Sequence, residues 1–234
     1  MGDWARYFRA YRTILLAAGL IGILLPLGLI LGDAVALDAP FQLRGSISSY
    51  YYSPFRDLFV GSLCVIGVLL ITYEWPGTGF SWLEFGLSGL AGVLLLLVAF
   101  CPTEPPGLEQ GNHCKVDPET PPPCTILQHH FGDTSLYHVH IPSAIAALGL
   151  LALLAIVFGR RDPRPALSTA HYASAGTIIL GLIVAGIGIA WDPAPIWQFQ
   201  WIYSGEVIAL LGFGAGWVVR GVFLPAPPPP GPVA

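Results

Sequence analysis

Six stretches of this chain are long, apolar and nearly free of charge, and that pattern leaves few ways to fold. They run roughly Ile14–Gly32, Asp57–Tyr73, Phe85–Cys101, Ile141–Gly159, Tyr172–Trp191 and Trp197–Val219. A helix that crosses a bilayer needs about 20 mostly apolar residues, and in lipid only helices and closed barrels satisfy their own backbone. Charged residues make up 10% of the chain, against roughly 25% in a soluble domain. The expected fold is all-α: a polytopic transmembrane helix bundle of about six spans, forming one domain over residues 1–224. The Pro-rich stretch from Pro225 to Ala234 reads as an extended, disordered tail.

The alternative for the first span is a signal peptide, with Ala34-Val35-Ala36 as a loose cleavage site. Its apolar run exceeds the roughly 7–15 residues of a signal core, so a retained helix is expected. Pro26 should kink it.

Basic residues set the expected orientation. Arg6, Arg9, Arg12, Arg160, Arg161, Arg164 and Arg220 fall on one side, and Arg44, Arg56 and Lys115 on the other. Both termini are therefore expected in the cytoplasm of a cell (inner or plasma) membrane protein. Two longer loops then face outward, the second from Pro102 to Tyr137, and the inward loops are short. The net charge of −4 gives no basic surface for nucleic acid.

Glycines recur at close-packing spacings: Gly28 with Gly32, Gly212 with Gly216, and Gly86, Gly89 and Gly92 in series. Small residues let helix backbones approach in lipid. Packing within the chain is the favoured reading, and a homo-oligomer or membrane-protein partner through these Gly-rich faces is the alternative. Membrane lipids are the other expected partner.

The polar residues concentrate toward the outward side. Cys114 and Cys124 share the long loop, and a disulfide between them is expected in an oxidising compartment. His113, His129 and His130 lie in the same loop at spacings that match no standard zinc pattern. The densest polar run is Ser46-Ile-Ser-Ser-Tyr-Tyr-Tyr-Ser-Pro-Phe-Arg-Asp57. It is either an interfacial aromatic belt with Asp57 at a helix N-terminus or the wall of a pocket. The pocket candidates are Ser46, Ser48, Tyr51, Tyr52, Arg56, Asp57, His138, His140, Ser143, Asp192 and Glu206. Glu206 is the sharpest, because an ionisable group within a span is costly and marks function by default. Its expected partners are Arg56, a protonated histidine or a metal. His138 and His140 can share a metal only if their helix starts after His138, because residues two apart face opposite ways on a helix.

Ser46, Ile47, Ser48, Tyr50, Tyr51, Arg56, Asp57, Phe59, Val60 and Gly61 follow a signature of approximately S-I-S-x-Y-Y-H-T, then R-D-x-F-V-G. The chain thereby resembles a family of uncharacterised bacterial multi-span membrane proteins. His140, Ser143 and Ala144 resemble the family's later H-x-x-S-A, and Glu206, Phe213, Gly214, Trp217, Arg220 and Gly221 its final segment. This resemblance implies no established activity. A more distant likeness leads to the zinc-dependent membrane hydrolases related to alkaline ceramidases and adiponectin receptors, which pair S-x-x-x-H with an Asp and an H-x-x-x-H. It implies zinc, with Asp57, His138, His140 and Glu206 as candidate ligands and Ser48 assisting. Tyr52 stands where the first histidine belongs, and the chain has no H-x-x-x-H.

These observations define three expectations. The first is an outward-facing polar pocket for a lipid headgroup or small polar ligand, with Arg56 holding an anionic group and the tyrosines and Trp201 lining its apolar side. The second is a metal-dependent hydrolase of lipid amides or esters. The third is a transporter or channel with Glu206 as a proton site.

Overall fold

In the computed structural model, which describes residues 2–36, 43–73, 81–104, 114, 124–191 and 200–224, the regular elements are helices. They are α1 (Gly2–Ala36), a 3-10 turn (Ser48–Tyr52), α2 (Arg56–Ile71), α3 (Trp82–Phe100), α4 (Ile126–Phe131), α5 (Asp133–Arg161), α6 (Pro165–Trp191) and α7 (Trp201–Val222). Five helices, α1, α3, α5, α6 and α7, are long and apolar enough to cross a membrane. With 16 residues, α2 rises about 24 Å, short of the roughly 30 Å hydrocarbon core. The tail after residue 224, the stretch before Trp201 with Asp192, and most of the long loop lie outside the described residues.

The six long helices close into a ring. Each packs chiefly on two others, in the order α1, α2, α3, α5, α6, α7 and back to α1, with a lighter contact between α5 and α7. Apolar burial cannot by itself draw helices together in lipid, so close backbone approach and interhelical hydrogen bonds hold the ring. Gly19 faces Gly214 between α1 and α7, Gly67 faces Gly92 between α2 and α3, and Gly181 faces Gly205 between α6 and α7. Ser88 donates to the Leu70 carbonyl at 2.7 Å, Ser168 to that of Gly159 at 2.8 Å and Ser174 to that of Gly212 at 2.7 Å, each bridging two helices.

The glycines at regular spacings divide. Gly28 and Gly32 meet Leu58 and Phe55, and Gly212 and Gly216 meet Ile178 and Ser174, all within the chain. Gly86 and Gly89 face open space. α1 continues through Pro26, and α5 through Pro142. Gly132 joins α4 to α5 at φ 87° and ψ 154°, a region essentially restricted to glycine.

One end of the ring carries Arg12, Arg160, Arg161, Arg164 and Arg220. An aromatic cluster fills its centre: Tyr73 sits 5.5 Å from Tyr11 and 5.3 Å from Trp217, which lies 5.6 Å from Phe213. His171 joins this cluster, buried against Phe158 at 5.6 Å. Arg161 on α5 pairs with the buried Glu84 of α3 at 2.7 Å. In the following loop Asp162 is held below the usual carboxylate range by its hydrogen bond to Arg164.

A β-carbon on Gly205 would lie 2.5 Å from the Gly181 carbonyl oxygen. Gly205→Leu should lower stability by at least about 1–3 kcal/mol, the usual cost of overpacking. Gly89→Leu should stay within about 0.5 kcal/mol, as at unconstrained surface sites. Thermal unfolding of the two detergent-purified variants makes the comparison; equal losses would contradict the packing described.

Candidate functional site

At the end opposite the arginine-rich one, the chain from Leu43 to Phe55 leaves α-helical geometry, with one 3-10 turn, and packs into the mouth of the ring. Non-helical backbone at membrane depth needs partners supplied by the protein. Here they come from several elements. Arg44 grips Asp33 of α1 through two bonds, Nε to Oδ2 at 2.7 Å and Nη2 to Oδ1 at 3.1 Å. The Gly45 carbonyl accepts from the Tyr203 amide of α7 at 3.2 Å. The Ile47 amide donates to Glu206 Oε2 at 2.5 Å. Tyr52 donates to the Thr103 carbonyl and accepts from the Gln128 side-chain amide at 2.7 Å. Gln128 is itself fixed by a capping box with Thr125 that starts α4.

These contacts put Ser48 beside two titratable side chains. Its Oγ lies 2.9 Å from His140 Nε2 on α5 and 3.4 Å from Glu206 Oε1 on α7. His140 is 1% exposed, and its Nδ1 sits 2.6 Å from the Cys101 carbonyl at the end of α3. A carbonyl only accepts, so Nδ1 carries the hydrogen and a neutral ring presents a bare Nε2 toward Ser48.

Below this triad lies a narrow cavity of about 60 Å³, open at its mouth. Phe59 and Leu63 of α2, Leu95 and Val98 of α3, Ala144 and Leu148 of α5, and Leu210 of α7 form its apolar wall, with Ile47 at the turn. Ser48 and Glu206 are the polar residues on that wall.

The other candidates separate from this site. Arg56 lies over the Tyr51 ring, 4.4 Å from its centre, and donates to the Tyr51 hydroxyl at 3.0 Å. It does not line this cavity. Trp201 and the tyrosines are likewise absent from the cavity wall. Tyr50 and Tyr51 are buried in the core rather than spread along an interfacial belt. Ser46 binds Ser49 at 2.8 Å. Ser143 is buried but outside the cavity wall, and Asp57 is exposed.

α5 begins at Asp133, before His138. His138 therefore faces away, exposed and bonded to the Thr134 carbonyl, while His140 is buried. The condition for a shared metal is not met. Among the described residues, no three His, Cys, Asp or Glu side chains form a metal-holding group. Glu206 accepts from the Ile47 amide and from Ser48. It also lies only five residues into α7, about 7.5 Å from its start, rather than the nine residues counted from Trp197.

Cys114 and Cys124 are joined by a disulfide. The Cys114 amide donates to the buried Asp133 at 3.1 Å, and His129 Nδ1 donates to the Cys114 carbonyl at 2.8 Å. This ties the loop to the start of α5.

Comparison with protein-family models, curated proteins and solved structures gives no match.

Ser48→Ala removes the hydroxyl that joins His140 Nε2 to Glu206 Oε1 and leaves buried polar groups without it. The expected cost is about 1–3 kcal/mol. Arg56→Ala loses a cation–π contact near the surface and should cost about 0.5–1 kcal/mol. Thermal unfolding in detergent ranks the two; a larger loss at Arg56 would contradict the central position of the triad.

Proposed function

We propose that this chain is a multi-pass cell-membrane protein that binds a single-chain amphiphile, with six spans and both termini cytoplasmic. The observation that carries the reading is the cavity itself: an apolar wall from four helices that ends in Ser48 and Glu206. The wall suits an alkyl chain. The polar end presents an acceptor-rich carboxylate, so it favours a head that donates hydrogen bonds, such as a hydroxyl, amide or amine. The arginine count supports the orientation, and it turns the cavity end toward the outside. The helix α2, extended by the preceding turn, supplies the sixth crossing.

Other readings draw less support. A metal-dependent hydrolase needs ligands that converge, and Asp57 and His138 stand exposed. The Ser48–His140 pair resembles a nucleophile and its base, but Glu206 beside Ser48 would oppose an oxyanion forming there. For a transporter or channel, the aromatic cluster of Tyr11, Tyr73 and Trp217 occupies the ring at the other end.

1-Octanol should stabilise the purified protein and raise its melting temperature, the stabilisation growing with ligand excess to about 2.7 kcal/mol at 100 times Kd. Ala144→Phe fills the cavity and should abolish the shift while keeping the elution volume of the folded protein. Equal stabilisation of both forms would place the ligand elsewhere and sink this reading.

A further inference from the structure

Counting hydrogens in the triad exposes a mismatch. Ser48 has one hydroxyl hydrogen and two acceptors within reach, His140 Nε2 at 2.9 Å and Glu206 Oε1 at 3.4 Å. His140 cannot reverse the demand by moving its hydrogen, because Nδ1 is committed to the Cys101 carbonyl at 2.6 Å. With His140 neutral and Glu206 ionised, one of the two contacts sets acceptor against acceptor. One further proton resolves this. On Glu206, it donates to Ser48, which donates to His140. On His140 Nε2, it donates to Ser48, which donates to the Glu206 carboxylate. Both arrangements hold the same number of protons, and the site as a whole is neutral in each.

Among the described residues, the surroundings offer no fixed charge to replace that proton. Tyr203 on α7, Tyr50 on the turn and the Cys101 thiol at the end of α3 are the nearby titratable groups, and all are buried. The Asp33–Arg44 pair of α1 and the turn lies beyond Tyr50 and balances itself. The helices α2 and α3 bring only Phe59, Leu63, Leu95 and Val98 to the cavity wall.

We propose that the site exchanges its stored proton for an alkylammonium ion, taking a protonated long-chain amine into the cavity and releasing one proton to solution. The step balances in atoms and charge. The Glu206–Ser48–His140 unit loses H⁺, leaving Glu206 as carboxylate and His140 neutral. The incoming R–NH₃⁺ donates one N–H to Glu206 Oε1, and Ser48 gives its single hydrogen to His140 Nε2. Every acceptor then has a donor, and the site is again neutral with the ligand bound. A neutral alcohol head has no charge to exchange, so it enters without proton release.

This inference rests on the amphiphile reading, and the test separates the two. Octylamine and 1-octanol are titrated at neutral pH into protein reconstituted in zwitterionic nanodiscs, with empty nanodiscs as blank. Calorimetry in two buffers of different ionisation enthalpy gives the proton count. The expected result is binding of both ligands, with release of about one proton per amine and none per alcohol. Glu206→Gln keeps the side-chain volume and an acceptor for the Ile47 amide; it should lose octylamine affinity at least about tenfold, with no proton released by the amine that still binds. Binding of both ligands with no proton released by the amine overturns the exchange and leaves the amphiphile reading standing. An unchanged amine affinity and proton count in Glu206→Gln overturns the exchange as well. Binding of neither ligand overturns both.

Discussion

The Glu206 carboxylate fastens a non-helical turn inside a ring of helices, and most of the site depends on that attachment. It accepts from the Ile47 amide and from Ser48, residues 158 or more positions away in the chain. In water such a contact would add little. At the edge of a bilayer it satisfies a backbone donor that lipid cannot, where an orphaned group costs several kcal/mol. The Arg44–Asp33 pair and the Gly45–Tyr203 bond fix the same segment from α1 and α7. Ser48 is thus positioned by three helices, not by its own short turn.

The ring supplies the space that the turn closes. Glycine pairs bring α1 to α7, α2 to α3 and α6 to α7 at backbone contact. Six helices arranged this way leave an interior, and side chains decide how much is filled. Toward the arginine-rich end, Tyr11, Tyr73, Phe158 and Trp217 fill it. Toward the turn, Leu63, Ala144, Leu148 and Leu210 leave a cavity. The asymmetry comes from residue size at equivalent depths.

The helical architecture was legible because apolar runs near 20 residues admit few alternatives. Helix ends were less so. α5 starts at Asp133, eight residues before the apolar run at Ile141, since polar residues can continue a helix beyond the hydrocarbon. That difference decided the fate of His138. Glu206, Ser48 and His140 stood out by type, but their meeting depends on ring closure, which no local pattern encodes. The Cys101 carbonyl that sets the His140 tautomer is backbone, and backbone groups leave no trace in residue identity. Phe59, Leu63 and Leu95 of the cavity wall look like any other apolar residue of a span. The contact of Arg56 with Tyr51, five residues earlier, follows from the turn between them, which residue type alone does not announce.

On the proposed reading, an acceptor at the cavity's end reverses the ligand preference expected from Arg56. A guanidinium there would select phosphate or carboxylate heads through paired hydrogen bonds. A carboxylate beside a hydroxyl repels those heads and accepts from donors. Because Glu206 also anchors the turn through Oε2, it cannot swing away to admit an anion without releasing the Ile47 amide. On that reading, one side chain links the closure of the ring to the chemistry of the proposed ligand. A ligand that competes for Oε1 leaves the anchor in place, whereas one that demands Oε2 would unseat the turn.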